Sequence, residues 1–315
     1  MNSSISNSKK SVLAIAIFLI ILLALDRAIS FAISEAIIAR QYDTRIQKIM
    51  DQELDHDILV FGSSRASRNI RAEQISEITG TSMYNLGFHG SDVDYHEDIL
   101  RLTLEAGNIP KEIILVVDDD FEVIEHPAIN FRIDTLYPFL NYRPVTNIVC
   151  KRETKECIPT YISHSYTQNI NLDEALAYLD EGQLIPDDLN QIQPDGSMPI
   201  FIKSEKYPAM QYDGSTRQYD PTKESPLLLE EFAKIVALCE KYNIALTILF
   251  PPNYKKPTAG FKKRILELAG PNATSIDFST DPTFQKKSLY YDTNHLDDQG
   301  SLLFSKKLAN TLKNR

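Results

Sequence analysis

Apolar residues along this chain fall into two patterns. Short unbroken runs, DILVFG (57–62), SMYNLG (82–87), EIILVVD (112–118), IALTILFP (244–251) and the shorter TSIDFS (274–279), each close on glycine, proline, acidic or hydroxyl residues. They read as strands buried on both faces. Between and after them, apolar positions recur at helical spacing over about 70–79, 93–107, 225–242, 257–269 and 298–313. Strands alternating with helices predict an α/β class with a doubly wound parallel sheet of about five strands covered by helices. Ligands of such a sheet lie beyond the carboxyl ends of its strands.

Two stretches depart from this rhythm. From about Phe121 to Lys223 the chain is rich in Tyr, Pro, Asn and Asp, and only LDEALAYLDEG (172–182) has helical spacing. It reads as an insert between strands three and four that builds the substrate side of a site. The other departure is N-terminal, where SVLAIAIFLIILLAL (Ser11–Leu25) carries no charge. Fifteen residues are fewer than the roughly 20 that span hydrocarbon, so a signal peptide remains an alternative. The helical pattern nevertheless runs past Asp26 and Arg27 to about Arg40, and Arg27 can snorkel to the far interface, which favours an uncleaved anchor. Lys9 and Lys10 then set a cytoplasmic N-terminus, a single pass through the inner (cytoplasmic) membrane and an extracytoplasmic main domain. Residues 1–40 are thus tail and anchor, and 41–315 the main domain with its insert at about 121–223.

Charge and cysteine content narrow the picture. Acids outnumber bases 43 to 33, which argues against nucleic acid as a partner. Cys150 and Cys157 bracket CKRETKEC and are a disulfide candidate for an oxidising compartment, or two unpaired cysteines in a loop. Cys239 falls within a helical pattern and reads as a small buried apolar residue. No second Cys or His pair stands at ligand spacing beside them, so no metal is assigned.

The chemistry concentrates at three strand exits. FGSSR (61–65) puts Ser64 directly after the first strand, where a nucleophile would stand if a base reached it. Ser and Gly there are also ordinary turn and cap residues. The best base is His295 in YYDTNH, with Asp292 three residues ahead of it to hold the imidazole tautomer. His56, His89, His96, His126 and His164 are placed less well. The third exit, YNLGFHGSD (84–92), carries glycines whose N–H groups can approach an oxyanion closely.

Taken in order, FGSSR, NLGFHG and DTNH resemble the blocks of the SGNH, or GDSL-type, hydrolase superfamily, over the chain outside the anchor and insert. That resemblance implies a flavodoxin-like sheet, Ser64 as nucleophile, Asp292 and His295 as the rest of a triad, and no cofactor. It also implies an oxyanion hole from the N–H groups of Ser64 and of Gly90, five residues after Asn85. Ser63 replaces the usual Asp, and VVDDDF (116–121) lacks the Asn of the third block, leaving Asp118 where a neutral donor is usual. The GSSR variant is similar to membrane-anchored proteins of cell-surface acylation. Arg65 then pairs with a nearby acid or touches an anionic substrate.

Three readings follow. The first is a serine esterase or O-acyltransferase acting on an acylated cell-envelope glycan, with a membrane-bound acyltransferase as a possible partner. The second is a non-catalytic subunit that binds glycan or a membrane partner. A third would use the carboxylates of Asp118, Asp119 and Asp120 to hold Mg²⁺.

Overall fold

The structure, a computed structural model, describes residues 2–41, 43–117, 119–127, 129, 131–152, 161–167, 188–203, 217–255 and 258–315. The five apolar runs form β1 (Ile58–Gly62), β2 (Met83–Gly87), β3 (Glu112–Val116), β4 (Ala245–Phe250) and β5 (Thr274–Asp277). They make one sheet in the order β2-β1-β3-β4-β5, and every pairing is parallel. The direction of winding reverses between β1 and β3, where doubly wound sheets open their ligand crevice.

Helices in chain order are α1 (Asn2–Arg40), α2 (Arg45–Met50), α3 (Ser64–Asn69), α4 (Ala72–Thr79), α5 (Val93–Glu105), α6 (Arg143–Arg152), α7 (His164–Thr167), α8 (Pro226–Tyr242), α9 (Phe261–Ala269) and α10 (Asp298–Lys313). Alternate strand residues serve opposite faces. Val60, Ile114, Val116, Leu249 and Ile276 form one core with Ile75 of α4 and with Phe304 and Leu308 of α10. Leu59, Phe61, Ile113, Leu115 and Ile248 are buried on the other side, where α5 touches β1 and α8 touches β4. Burial on both faces explains why the central strands read as unbroken apolar runs.

The chain divides into two compact units, Met1–Gln47 with Ile133–Leu184, and Lys48–Arg132 with Ile185–Arg315. The second unit holds the whole sheet. In the first, α1 packs against α7 and against the turn Tyr137–Phe139. One helical segment, Lys9–Arg40, is long and apolar enough to cross a membrane. The helix expected at 172–182 lies outside the described residues.

Candidate active site

At the end of β1 the backbone makes a turn that only glycine accommodates. Gly62 has φ +145°, and a Cβ there would sit 2.9 Å from Ala66 Cβ, Val116 Cβ and the Val116 carbonyl oxygen. Ser63 follows in extended conformation, and its carbonyl accepts the N–H groups of Ala66 and Ser67, each at 3.1 Å, starting α3. Every residue from Ile58 to Ile70 is buried except Ser64. Of the three hydroxyls in this segment, the fold therefore leaves only that of Ser64 accessible, at the carboxyl end of β1.

Ser64 Oγ lies 2.8 Å from His295 Nε2. On the other side of the ring, Nδ1 is 2.9 and 3.0 Å from the two carboxylate oxygens of Asp292. Burial alone would raise the Asp292 carboxyl. Hydrogen bonds from the His295 ring and from the N–H groups of Asn294 and His295 outweigh it and bring the pKa down to about 2. An ionised Asp292 accepts the Nδ1 hydrogen, which leaves Nε2 as the acceptor for the Ser64 hydroxyl.

The loop carrying Asp292 and His295 is fastened at both ends. Arg65, 3% exposed, donates from Nε to the Asn294 carbonyl at 3.0 Å and from Nη2 to the Asn294 side chain at 3.3 Å. Asn69, at the other end of α3, accepts the Leu296 N–H at 3.0 Å. Asp297 then caps α10 by accepting the Gly300 N–H at 2.9 Å. The short helix that bears Ser64 thus also grips the loop that bears His295, fixing one against the other. Arg65, Asn69 and Asn294 are positioning residues; of these only Arg65 stood out in the sequence. Their mutual contacts span more than 220 residues, and no local pattern signals a bond at that separation.

The glycine turn after β2 is tied to the same place. Gly62 stands opposite Gly87 in the sheet, and the Phe88 N–H donates to the Gly62 carbonyl at 2.9 Å. Asn85, fully buried, donates to the carbonyls of Ala66 at 2.9 Å and Ile70 at 2.8 Å and accepts the Gly87 N–H at 2.9 Å, so its carboxamide holds α3 in place. Gly90 adopts φ +74° with open space beside it. Beneath the turn, Ser91 Oγ donates to the Phe88 carbonyl at 2.5 Å and lies 2.9 Å from His96 Nε2. Burial pushes His96 down to about 3, so the ring is neutral. His96 is therefore another positioning residue, supporting the glycine turn through Ser91, and its place behind an ordinary N-cap gave no hint of this. His89 lies against Arg132, which donates to its carbonyl at 2.9 Å.

Segment 189–198 buttresses the far side of α3. The Met198 N–H donates to the Ser67 carbonyl at 2.6 Å, and Arg68 donates to the Leu189 carbonyl at 2.5 Å and the Asn190 side chain at 3.0 Å.

Two of the sequence candidates, Asp118 and Cys157, lie outside the described residues. Cys150 is buried in the last turn of α6, and Cys239 is buried in α8. Of the acidic run after β3, Asp119 caps the next turn by accepting the Asp120 N–H at 2.9 Å and pairs with Arg217 at 3.0 Å. Burial, and then the Asp119 charge, push the Asp120 carboxyl up. Among the described residues no three His, Cys, Asp or Glu side chains gather as metal ligands would. No family model and no curated protein matches the chain.

Proposed function

We propose that this protein is a serine-dependent ester hydrolase or O-acyltransferase of the SGNH type. The observation that carries the reading is the 2.8 Å approach of Ser64 Oγ to His295 Nε2, with Asp292 on the opposite ring nitrogen. In the reaction, Nε2 takes the Ser64 proton as Oγ attacks the carbonyl carbon of an ester. The carbonyl oxygen becomes an oxyanion, which the N–H groups of Ser64 and Gly90 stabilise in this reading. Collapse breaks the bond to the alcohol, which leaves with the proton held on His295, and the acyl group stays on Ser64. Water or an acceptor hydroxyl, deprotonated by His295, then attacks the acyl carbon and releases Ser64. Water makes the protein an esterase, and a sugar hydroxyl makes it a transferase.

An acylated cell-envelope glycan is the substrate class that the apolar N-terminal helix and the likeness of FGSSR to surface-acylation proteins support. In this reading α1 anchors the chain in the cytoplasmic membrane with the serine unit outside and a membrane-bound acyltransferase as its partner. The second reading, a glycan-binding accessory subunit, draws on one observation, the lack of Asn in VVDDDF.

A fluorophosphonate probe applied to the intact chain distinguishes them. Labelling of Ser64, its loss in Ser64→Ala, and an acyl adduct on Ser64 in the mass spectrum after incubation with acetylated glycan are expected of the enzyme. An unlabelled Ser64 with undiminished glycan binding would leave the accessory role standing.

A further inference from the structure

Helix α1 changes its surroundings abruptly at Asp26. Every residue from Lys9 to Leu25 is exposed. From Asp26 onward one stripe is covered, with Ser30, Ser34 and Ile37 all buried. At the start of that stripe, Ser163 Oγ donates to Asp26 Oδ1 at 2.6 Å and the His164 N–H donates to Asp26 Oδ2 at 3.1 Å. Ser165 Oγ donates to the Asp26 carbonyl at 3.1 Å. Arg27, rather than extending away along the helix, donates from Nη2 to the Tyr161 carbonyl at 2.6 Å and from Nη1 to Asp26 at 2.8 Å. The two charges that interrupt the apolar run are thus met by residues 161–165 of the same unit.

Geometry sets the depth of this contact. At about 1.5 Å per residue, the bare stretch Lys9–Leu25 covers roughly 25 Å, whereas the hydrocarbon core is about 30 Å thick. A span that begins after Lys10 covers only about 22 Å by Leu25 and must continue for about one and a half turns more, which brings Asp26 and Arg27 within about one turn of the boundary. The uncovered side of that turn agrees, since Ile29 and Phe31 are 53% and 55% exposed. Ionisable groups at such a depth are paired, as these are. The segment that pairs them carries three large side chains turned outward, Tyr161 at 51%, Ile162 at 56% and Tyr166 at 63% exposure. Tyr161 is further held by its hydroxyl, which donates to Asn147 Oδ1 at 2.9 Å. Two tyrosines flanking an isoleucine suit the headgroup region, where an apolar ring body and a polar tip are both accommodated.

We propose that residues 161–166 are a second membrane contact, seated in the phospholipid interface beside α1, with Tyr161, Ile162 and Tyr166 against lipid. The surface is continuous with the span, and its occupant is the same bilayer. It does not depend on the chemistry of Ser64.

The chain contains no tryptophan, so one introduced indole reports alone. Ile162→Trp and Tyr166→Trp, each in the full chain reconstituted into phospholipid vesicles, should be quenched strongly by lipid brominated near the headgroup and less by lipid brominated deep in the acyl chain. Phe31→Trp on α1 is the reference and should be quenched as well. Quenching of Phe31→Trp without quenching at either of the other positions would overturn the proposal. That holds whether their emission is that of indole in water or of indole buried against protein. An unquenched Phe31→Trp would also overturn it, because the span would then end short of Asp26.

Discussion

Asp292 does two jobs with one carboxylate: it accepts the His295 ring hydrogen, and it accepts two backbone N–H groups of its own loop. Those bonds lower its pKa from an ordinary 3.8 to about 2. A depressed carboxyl stabilises the folded state above its unfolded pKa and loses that stabilisation as pH falls through the folded value. The excess stability of the intact chain over Asp292→Asn, followed by thermal melts in detergent, should hold steady above about pH 5 and shrink between about pH 4 and pH 2. A difference that stays constant down to pH 2 would mean the carboxylate is not held as described. The same substitution should reduce turnover by about 10⁴-fold through the wrong imidazole tautomer. At this scale the sequence disclosed residues whose chemistry is local: a serine after a strand, and an aspartate three before a histidine. It did not disclose that Arg65 holds the His295 loop, because the partner Asn294 lies 229 residues away.

The elements were more legible than their fastenings. Strand runs buried on both faces and helices with one apolar stripe leave strong periodic marks, and each marked run among the described residues begins or ends within a few residues of the observed element. The crossing between α3 and β2 leaves no such mark. A Cβ at Gly87 would lie 2.6 Å from Ser67 N and 2.7 Å from Ala66 Cβ, so α3 rests directly on the strand backbone. Gly87→Ala must push that helix outward. A loss of about 1–3 kcal/mol in stability is expected, with slower fluorophosphonate labelling because Ser64 moves with α3. Unchanged melting and labelling would show that the strand yields instead. The region after β3 was less legible, because its polar, Tyr- and Pro-rich composition says little about which unit each part joins.

For the molecule as a whole, the division into units does not follow the order of the chain. Residues 133–152 and 161–167 belong with α1, although the sheet lies on both sides of them in sequence. Part of their packing is against α1, through α7 and the turn Tyr137–Phe139. Removing residues 2–40 should therefore make 133–152 and 161–167 cleavable by protease while the sheet unit keeps its resistance and Ser64 keeps the reactivity proposed for it. Mass spectrometry of a limited digest, with labelling run in parallel, checks both halves. Protection of 133–152 and 161–167 after the deletion would show that α1 is not what holds them.

The pairing of Ser64 with a histidine 231 residues later has a consequence in time as well as in space. Synthesis runs from the N-terminus, so Ser64 remains without His295 until a further 231 residues have been made. In the proposed reaction the nucleophile would thus be switched off until that histidine arrives. In that reading it is armed only when the loop ahead of α10 docks, long-range contacts of this kind being among the slowest to form. Covalent labelling of Ser64 would then act as a clock for the last step of folding.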